Sequence, residues 1–197
     1  MKAESENRDY ALALYQALQQ DAFYITLEKS VGDAVTGREA MLQYLEFSML
    51  EANKYGLLYE PKTHRHGVSI WIKPQSDEIE AKMKIEKQQF LLNQMGNASL
   101  ACYQKMVSQM SKNADGLIDA NAWYLSIVGI KPEYQGRGLG LGLVTDVLHQ
   151  SDELQLQTYL ETFSERNMSF YQRLGFYTVN SFFEPTAASQ YWLMARD

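Results

Sequence analysis

Residues 122–150 constrain this chain more than any other stretch. Ala122 to Ile130 reads AWYLSIVGI, a near-continuous apolar run of strand length, as a buried central strand requires. Gln135-Gly136-Arg137-Gly138-Leu139-Gly140 follows, and a helix is predicted from about Gly138 to Gln150. Glycines alternating between a strand and a helix let backbone amides approach a bulky anion, because no Cβ blocks the way or forbids the dihedrals. Those amides and the positive end of the helix dipole make a site for phosphate or pyrophosphate, and Arg137 adds a charge there. Two nucleotide motifs fail on inspection. No Gly-Lys-Ser/Thr follows a glycine at Walker spacing, and the third glycine of Gly-x-Gly-x-x-Gly falls on Leu141 or Leu143. The competing reading is tight helix–sheet packing with no ligand. Gly142 favours it, since a glycine inside a helix costs about 1 kcal/mol relative to Ala.

The rest of the chain reads as α-rich first and mixed α/β afterwards. Arg8 to Gln20 places Tyr10, Leu14 and Leu18 on one helical face. Ala22 to Glu28, rich in aromatic and β-branched residues, reads as a strand unless the helix runs on. A second helix spans about Arg38 to Lys54, opened by Gly37 and stopped by Gly56. Leu57 to Tyr59 and Gly67 to Ile72 form a hairpin around the polar tip Lys62 to His66, closed by Pro74. Asp77 to Lys112 is helical and split at Gly96-Asn97, with Asp115-Gly116 as a turn. Leu156 to Thr162 is a strand, Asn167 to Leu174 a short helix ended by Gly175, and Phe176 to Phe183 and Gln190 to Ala195 the last two strands. One sheet with helices on both faces is the expected architecture.

Composition narrows the function classes. Hydrophobic residues are 46% and charged residues 21%, so a folded core rather than disorder is expected over 197 residues, as one domain. With 18 Lys+Arg against 24 Asp+Glu the formal net charge is −6, which argues against nucleic-acid binding. Cys102 is the sole cysteine, so no internal disulfide and no cysteine-rich zinc site is available, and a reducing compartment is expected. Met1 to Asp9 is charged and polar, unlike a signal peptide, and no apolar run approaches the roughly 20 residues that span a bilayer. The expectation is a soluble, cytoplasmic protein with no membrane partner, monomeric or homodimeric.

Read together, Ser126 to Ile130, the turn Gln135 to Gly140, and Asn167-Met168-Ser169-Phe170-Tyr171-Gln172-Arg173-Leu174-Gly175-Phe176 resemble the GNAT acetyltransferase superfamily. The turn fits that family's Gln/Arg-x-x-Gly-x-Gly/Ala signature at every fixed position. The resemblance covers Trp123 to Arg196 clearly and the first 115 or so residues loosely. Within the superfamily the chain is most similar to puromycin N-acetyltransferase-like members, through Trp123-Tyr124-Leu125, Leu160-Glu161-Thr162 and Gly67 to Ile72.

The resemblance implies a GNAT-like fold: a central, mostly antiparallel sheet with a splayed parallel pair and helices on both faces. It implies one domain over 1–197, with acceptor-side helices and hairpin in 1–115 and an acetyl-CoA-binding core in 120–197. It implies acetyl-CoA as co-substrate, no metal, and a small-molecule primary amine as acceptor. Val128, Gly129 and Ile130 would hold the acetyl and pantetheine portion, Gln135, Gly136, Arg137, Gly138, Leu139, Gly140 and Leu141 the pyrophosphate, and Asn167 and Phe170 the pantetheine arm. Tyr171 would protonate the departing sulfur, from an ordinary phenol pKa near 10, or else pack a helix face. A backbone amide of Val128 or Gly129 would polarise the carbonyl. Gly129 could equally mark a bulge. Glu161 would take the ammonium proton through water or attract the cation, unless it is an ordinary surface glutamate. Glu133 is expected to face solvent, His64 and His66 make a weak metal pair, His149 sits near a helix C-terminus, and Cys102 is core filler. Acetylation of a peptide or protein amine, or CoA binding without turnover, are the alternative activities. The methionines and aromatics of 41–55 and 83–110 read as core, some of them facing the acceptor.

Overall fold

A computed structural model describes residues 2–197, with side chains from residue 7 onward. Met1 and the side chains of residues 2–6, part of the stretch read as charged and polar, lie outside the described residues.

Helix α1 (Lys2–Ala17) buries Tyr10 and Leu14 on the face their spacing selects. The next segment corrects the expected strand: α2 runs over Ala22–Lys29. Asp21 accepts a hydrogen bond from the Phe23 amide at 2.9 Å and caps the helix, and Phe23 and Leu27, four apart, are buried on one side. That cap and the i, i+4 burial outweigh the β propensity of Phe-Tyr-Ile-Thr. Helix α3 (Ala34–Tyr55) also starts before the expected Arg38, because Asp33 accepts from the Thr36 amide at 2.9 Å. Gly37 lies within its first turn, where a Cβ would come 3.2 Å from the Glu28 carbonyl oxygen, so it permits close approach of α2 rather than opening α3.

Strands β1 (Gly56–Tyr59) and β2 (Gly67–Ile72) form the expected antiparallel hairpin. Helix α4 (Asp77–Ala114) is broken at Gly96, whose φ of 86° and ψ of 175° separate two helical arms. Strand β3 (Trp123–Ile130) follows, then 3-10 turns at Pro132–Tyr134 and Leu141–Leu143. Helix α5 (Thr145–Glu153) begins later than the expected Gly138. Strand β4 (Thr158–Thr162), helix α6 (Glu165–Arg173) and strands β5 (Tyr177–Glu184) and β6 (Ser189–Arg196) complete the chain.

The six strands form one mixed sheet in the order β1-β2-β3-β4-β6-β5. Every neighbouring pair is antiparallel except β3–β4, which are parallel. That pair is joined only at Trp123↔Thr158 and Tyr124↔Tyr159. Beyond it, β3 pairs with β2 alone and β4 with β6 alone, so the two strands part and leave an opening in the sheet. Ile70 pairs with Ile127 but Trp71 with Leu125, which makes Ser126 an extra residue on β3.

The helices cover both faces. On one, α1 to α4 pack over Val68, Ile70 and Ile127. On the other, Val144, Val147 and Leu148 of α5, with Tyr171 and Phe176, pack over Trp71, Trp123, Leu125 and Leu160. Alternation along β2 assigns Ile70 to the first core and Trp71 to the second.

Candidate active site

The glycine turn divides its glycines between two tasks. Gly136 and Gly138 have φ of 73° and 78°, with open space where a Cβ would stand, so glycine is required there by backbone conformation. Gly140 has an ordinary φ, and a Cβ on it would lie 3.1 Å from the Phe170 ring, so it permits the approach of α6. Gly142 does neither. It is exposed, meets nothing, and lies in a 3-10 turn rather than inside an α-helix, so it is no sign of packing.

Among the described residues, the backbone N–H groups of Gly136, Arg137, Gly138, Leu139 and Gly140 donate to no protein acceptor. A run of such amides, bent by alternating positive φ, makes an anion-binding concavity. Gln135 does not point into it. Its side-chain amide donates to the Ile130 carbonyl at 3.0 Å and latches the turn onto the end of β3. The Arg137 guanidinium donates to the Glu133 carbonyl at 2.9 Å and lies 5.2 Å over the Tyr134 ring, beside the exposed amides. His66 stacks on the other side of the hairpin's contact with this turn, 3.5 Å from the Tyr134 ring, with His64 stacked 5.2 Å further on. Glu133 is exposed, as is His149, within α5. Among the described residues no group of three or more His, Cys, Asp or Glu side chains is placed to hold a metal. Cys102 is half-buried in α4, and burial raises its thiol pKa.

Gly129 has a packing reason of its own. A Cβ there would meet Ala17 at 2.9 Å and Leu14 at 3.0 Å, so its missing side chain admits α1. The bulge lies at Ser126 instead. The side chain of Val128 packs with the second core, on the α5–α6 side. Past Tyr124, however, the β3 edge facing β4 has no ladder opposite, so alternate backbone groups of residues 125–130 line the opening.

The side chains expected to do chemistry flank this opening. Tyr171 is buried in the second core, edge-on to Phe170 at 5.2 Å between ring centroids. Its hydroxyl makes no hydrogen bond among the described residues, and burial, with the Asp21 carboxylate nearby, holds the phenol well above its usual pKa. That departs from the ordinary value expected from the sequence. Glu161, on β4, accepts a hydrogen bond from the Tyr124 hydroxyl at 3.2 Å. Burial pushes its pKa up to about 7, against the lowering effect of that hydrogen bond. Asn167 is exposed in the first turn of α6.

Two residues escaped the sequence reading. Asp21, besides capping α2, is held by the Phe163 amide just after β4, and burial lifts its pKa to about 6. Tyr24 lies close enough to feel Asp21, Tyr171 and Tyr103, and Tyr124 in turn feels Tyr24 and Glu161. This chain of groups crosses the opening from the α5–α6 side to the α3–α4 side. Reading Ala22 to Glu28 as a strand hid both, although Asp followed by an apolar i, i+4 pair was the visible cap signal.

On the α3–α4 side the opening leads into a cleft of about 640 Å³ between α3, α4 and strands β2 and β3. Tyr44, Ser48, Met83, Tyr103, Tyr124 and Ser126 are among its walls. Of these early helices Met41, Leu45, Met49, Met95, Met106 and Met110 are core, while Tyr44, Met83 and Tyr103 line this cleft. No helix among the described residues is long and apolar enough to cross a membrane.

Residues 94–176 match the family model described as acetyltransferase (GNAT) family. Solved structures share the architecture at low identity. One, described as histone acetyltransferase HPA2 and related acetyltransferase from Corynebacterium glutamicum, superposes with a TM-score of 0.64 at 18% identity, over 98% of this chain and 91% of its own. Arylalkylamine N-acetyltransferase 2 from Aedes aegypti gives 0.61 at 14% identity, over 98% and 94%. Polyamine N-acetyltransferase from Drosophila melanogaster gives 0.50 at 14% identity, over 69% and 71%.

Proposed function

We propose that this chain, whose residues 94–176 match the GNAT acetyltransferase model on a fold shared with solved acetyltransferases, moves an acetyl group from acetyl-CoA directly to a primary amine of a small molecule. The observation that carries this reading is the opening between β3 and β4, with Tyr171 on one side and Glu161 on the other. Acetyl-CoA would enter from the α5–α6 side, its pyrophosphate on the free amides of Gly136 to Gly140 and beside Leu141, with Arg137 adding charge. Its pantetheine arm would run along the open edge of Val128 to Ile130, past Asn167 and Phe170. The amine would enter through the cleft on the opposite side, whose volume of about 640 Å³ suits a small acceptor. Residues 1–115 and 120–197 then serve as the acceptor and cofactor sides of one domain.

The steps balance without a covalent enzyme intermediate. Glu161, titrating near neutrality, takes a proton from the ammonium, directly or through water. The neutral nitrogen attacks the thioester carbonyl, and a backbone N–H on the open β3 edge stabilises the oxyanion. The C–S bond breaks as the amide forms, the nitrogen loses its second proton, and the thiolate gains one. Tyr171, kept protonated by its raised pKa, donates its hydrogen bond to the departing sulfur. Names of the fold's neighbours, arylalkylamine and polyamine acetyltransferases, support amine acceptors in general. The likeness to puromycin-type members rests on the strings around Trp123 and Glu161. Incubating the protein with acetyl-CoA and a panel of primary amines, and following free thiol together with the mass of the product, tests the reading. N-acetyl product equimolar with thiol is expected. Acetyl-CoA bound but never discharged to any amine would favour a binding module.

A further inference from the structure

The acceptor cleft has a charge balance opposite to that of the whole chain. Its charged lining is Lys84, Lys87, Lys112 and Glu51, in a protein whose formal net charge is −6. Glu51 is committed to Lys87: the Lys87 ammonium, 8% exposed as a residue, lies 2.8 Å from Glu51 Oε2 and against the rings of Tyr44 and Phe47 at 5.0 and 4.8 Å. A buried pair held this way stays paired, because stripping either partner leaves an uncompensated charge. That leaves Lys84 and Lys112, exposed on the two arms of α4 either side of the Gly96 break, with no acidic partner among the described residues. Behind the floor of the cleft the sign changes. Tyr124 lines it and donates to Glu161, and the β4 register places Glu161 on the same sheet face as Tyr159, opposite Tyr124. The cleft therefore has unpaired ammonium groups on α4 and, behind Tyr124 at the sheet, the Glu161 carboxylate.

We infer that the acceptor is a primary amine carrying an anionic group at its far end, its ammonium toward Glu161 and its anion toward Lys84 and Lys112. This rests on the amine-acetylation reading above and goes beyond it, since a diamine would bring a second cation to the lysine side. Like charges placed there repel, and complementary ones steer and orient the ligand.

The test uses the full chain with acetyl-CoA and two matched series: 6-aminohexanoate, hexylamine and 1,6-diaminohexane, and 4-(aminomethyl)benzoate, benzylamine and 1,4-bis(aminomethyl)benzene. In at least one series kcat/KM should be highest for the carboxylate and lowest for the diamine. The spread should be about tenfold or more, the scale of two partly exposed charge contacts. The Lys84→Glu/Lys112→Glu variant should invert that order. Selectivity is a ratio within one preparation, so partial loss of folded enzyme cancels. A diamine preferred by the wild type, or an order the double variant leaves untouched, overturns the inference while amine acetylation stands. No thiol release from any of the six amines overturns both.

Discussion

Glu161 and Tyr171 sit on opposite sides of one gap, and their environments push both pKa values upward. For Glu161 the consequence for stability has a definite sign. Its carboxyl titrates near 4.5 in the ordinary state and about 7 in the fold, so the folded chain holds a proton that the unfolded chain has lost between those values. Stability contributed by this group therefore falls as pH rises from about 4.5 to about 7 and stays low above. Glu161→Gln should raise Tm at pH 8 and change it little at pH 4, as differential scanning calorimetry would reveal; equal shifts at both pH values would mean the carboxyl is not perturbed. In turnover the same group should give kcat/KM an ascending limb near pH 7 that vanishes in Glu161→Gln. Asp21, near 6, is the control: Asp21→Asn keeps the helix cap and should leave a limb near 7. Tyr171→Phe should lower kcat by about a hundredfold, the lower range for a positioned proton donor, with acetyl-CoA affinity little changed. An unchanged kcat would remove Tyr171 from the chemistry.

At the scale of elements, the turn and its neighbours show which signals the sequence carried. The six residues Gln135 to Gly140 were legible because alternating glycines have few uses, but their division of labour was not. Positive φ at Gly136 and Gly138 and the contact of Gly140 with Phe170 depend on where α6 lands, which sequence spacing does not encode. Gly138→Ala should weaken acetyl-CoA binding about tenfold, since an L residue in the left-handed region costs about 1–2 kcal/mol. Gly142→Ala, in open space, should bind as the wild type does, and calorimetric titration separates the two. Gly129 shows a further use that spacing does not reveal: a glycine in a buried strand also admits α1. Gly129→Ala should cost about 1–3 kcal/mol in chemical denaturation, as overpacking does. The α2 segment was missed because β propensity is a weak prior that one cap and one buried pair overturn.

For the whole molecule, the sheet's order of hydrophobic runs was readable, and with it the mixed α/β architecture with helices on both faces. The opening was expected only through the family resemblance, as a splayed parallel pair, and no strand's own pattern shows where β3 and β4 part. It lies beyond the two residue pairs that β3 and β4 share, where α1 packs on Gly129 and α5 covers the opposite face. The same geometry places the amide-lined turn on one face and a cleft of about 640 Å³ on the other, the entrances proposed for acetyl-CoA and the amine. Direct transfer between two ligands that meet through a sheet is the central claim, and single-turnover chemistry tests it most directly. Protein in excess over acetyl-CoA carrying a labelled acetyl group, mixed rapidly with amine and quenched, should pass the label straight to the amine with none found covalently on the chain. Label trapped on a protein side chain before it reaches the amine would contradict that account.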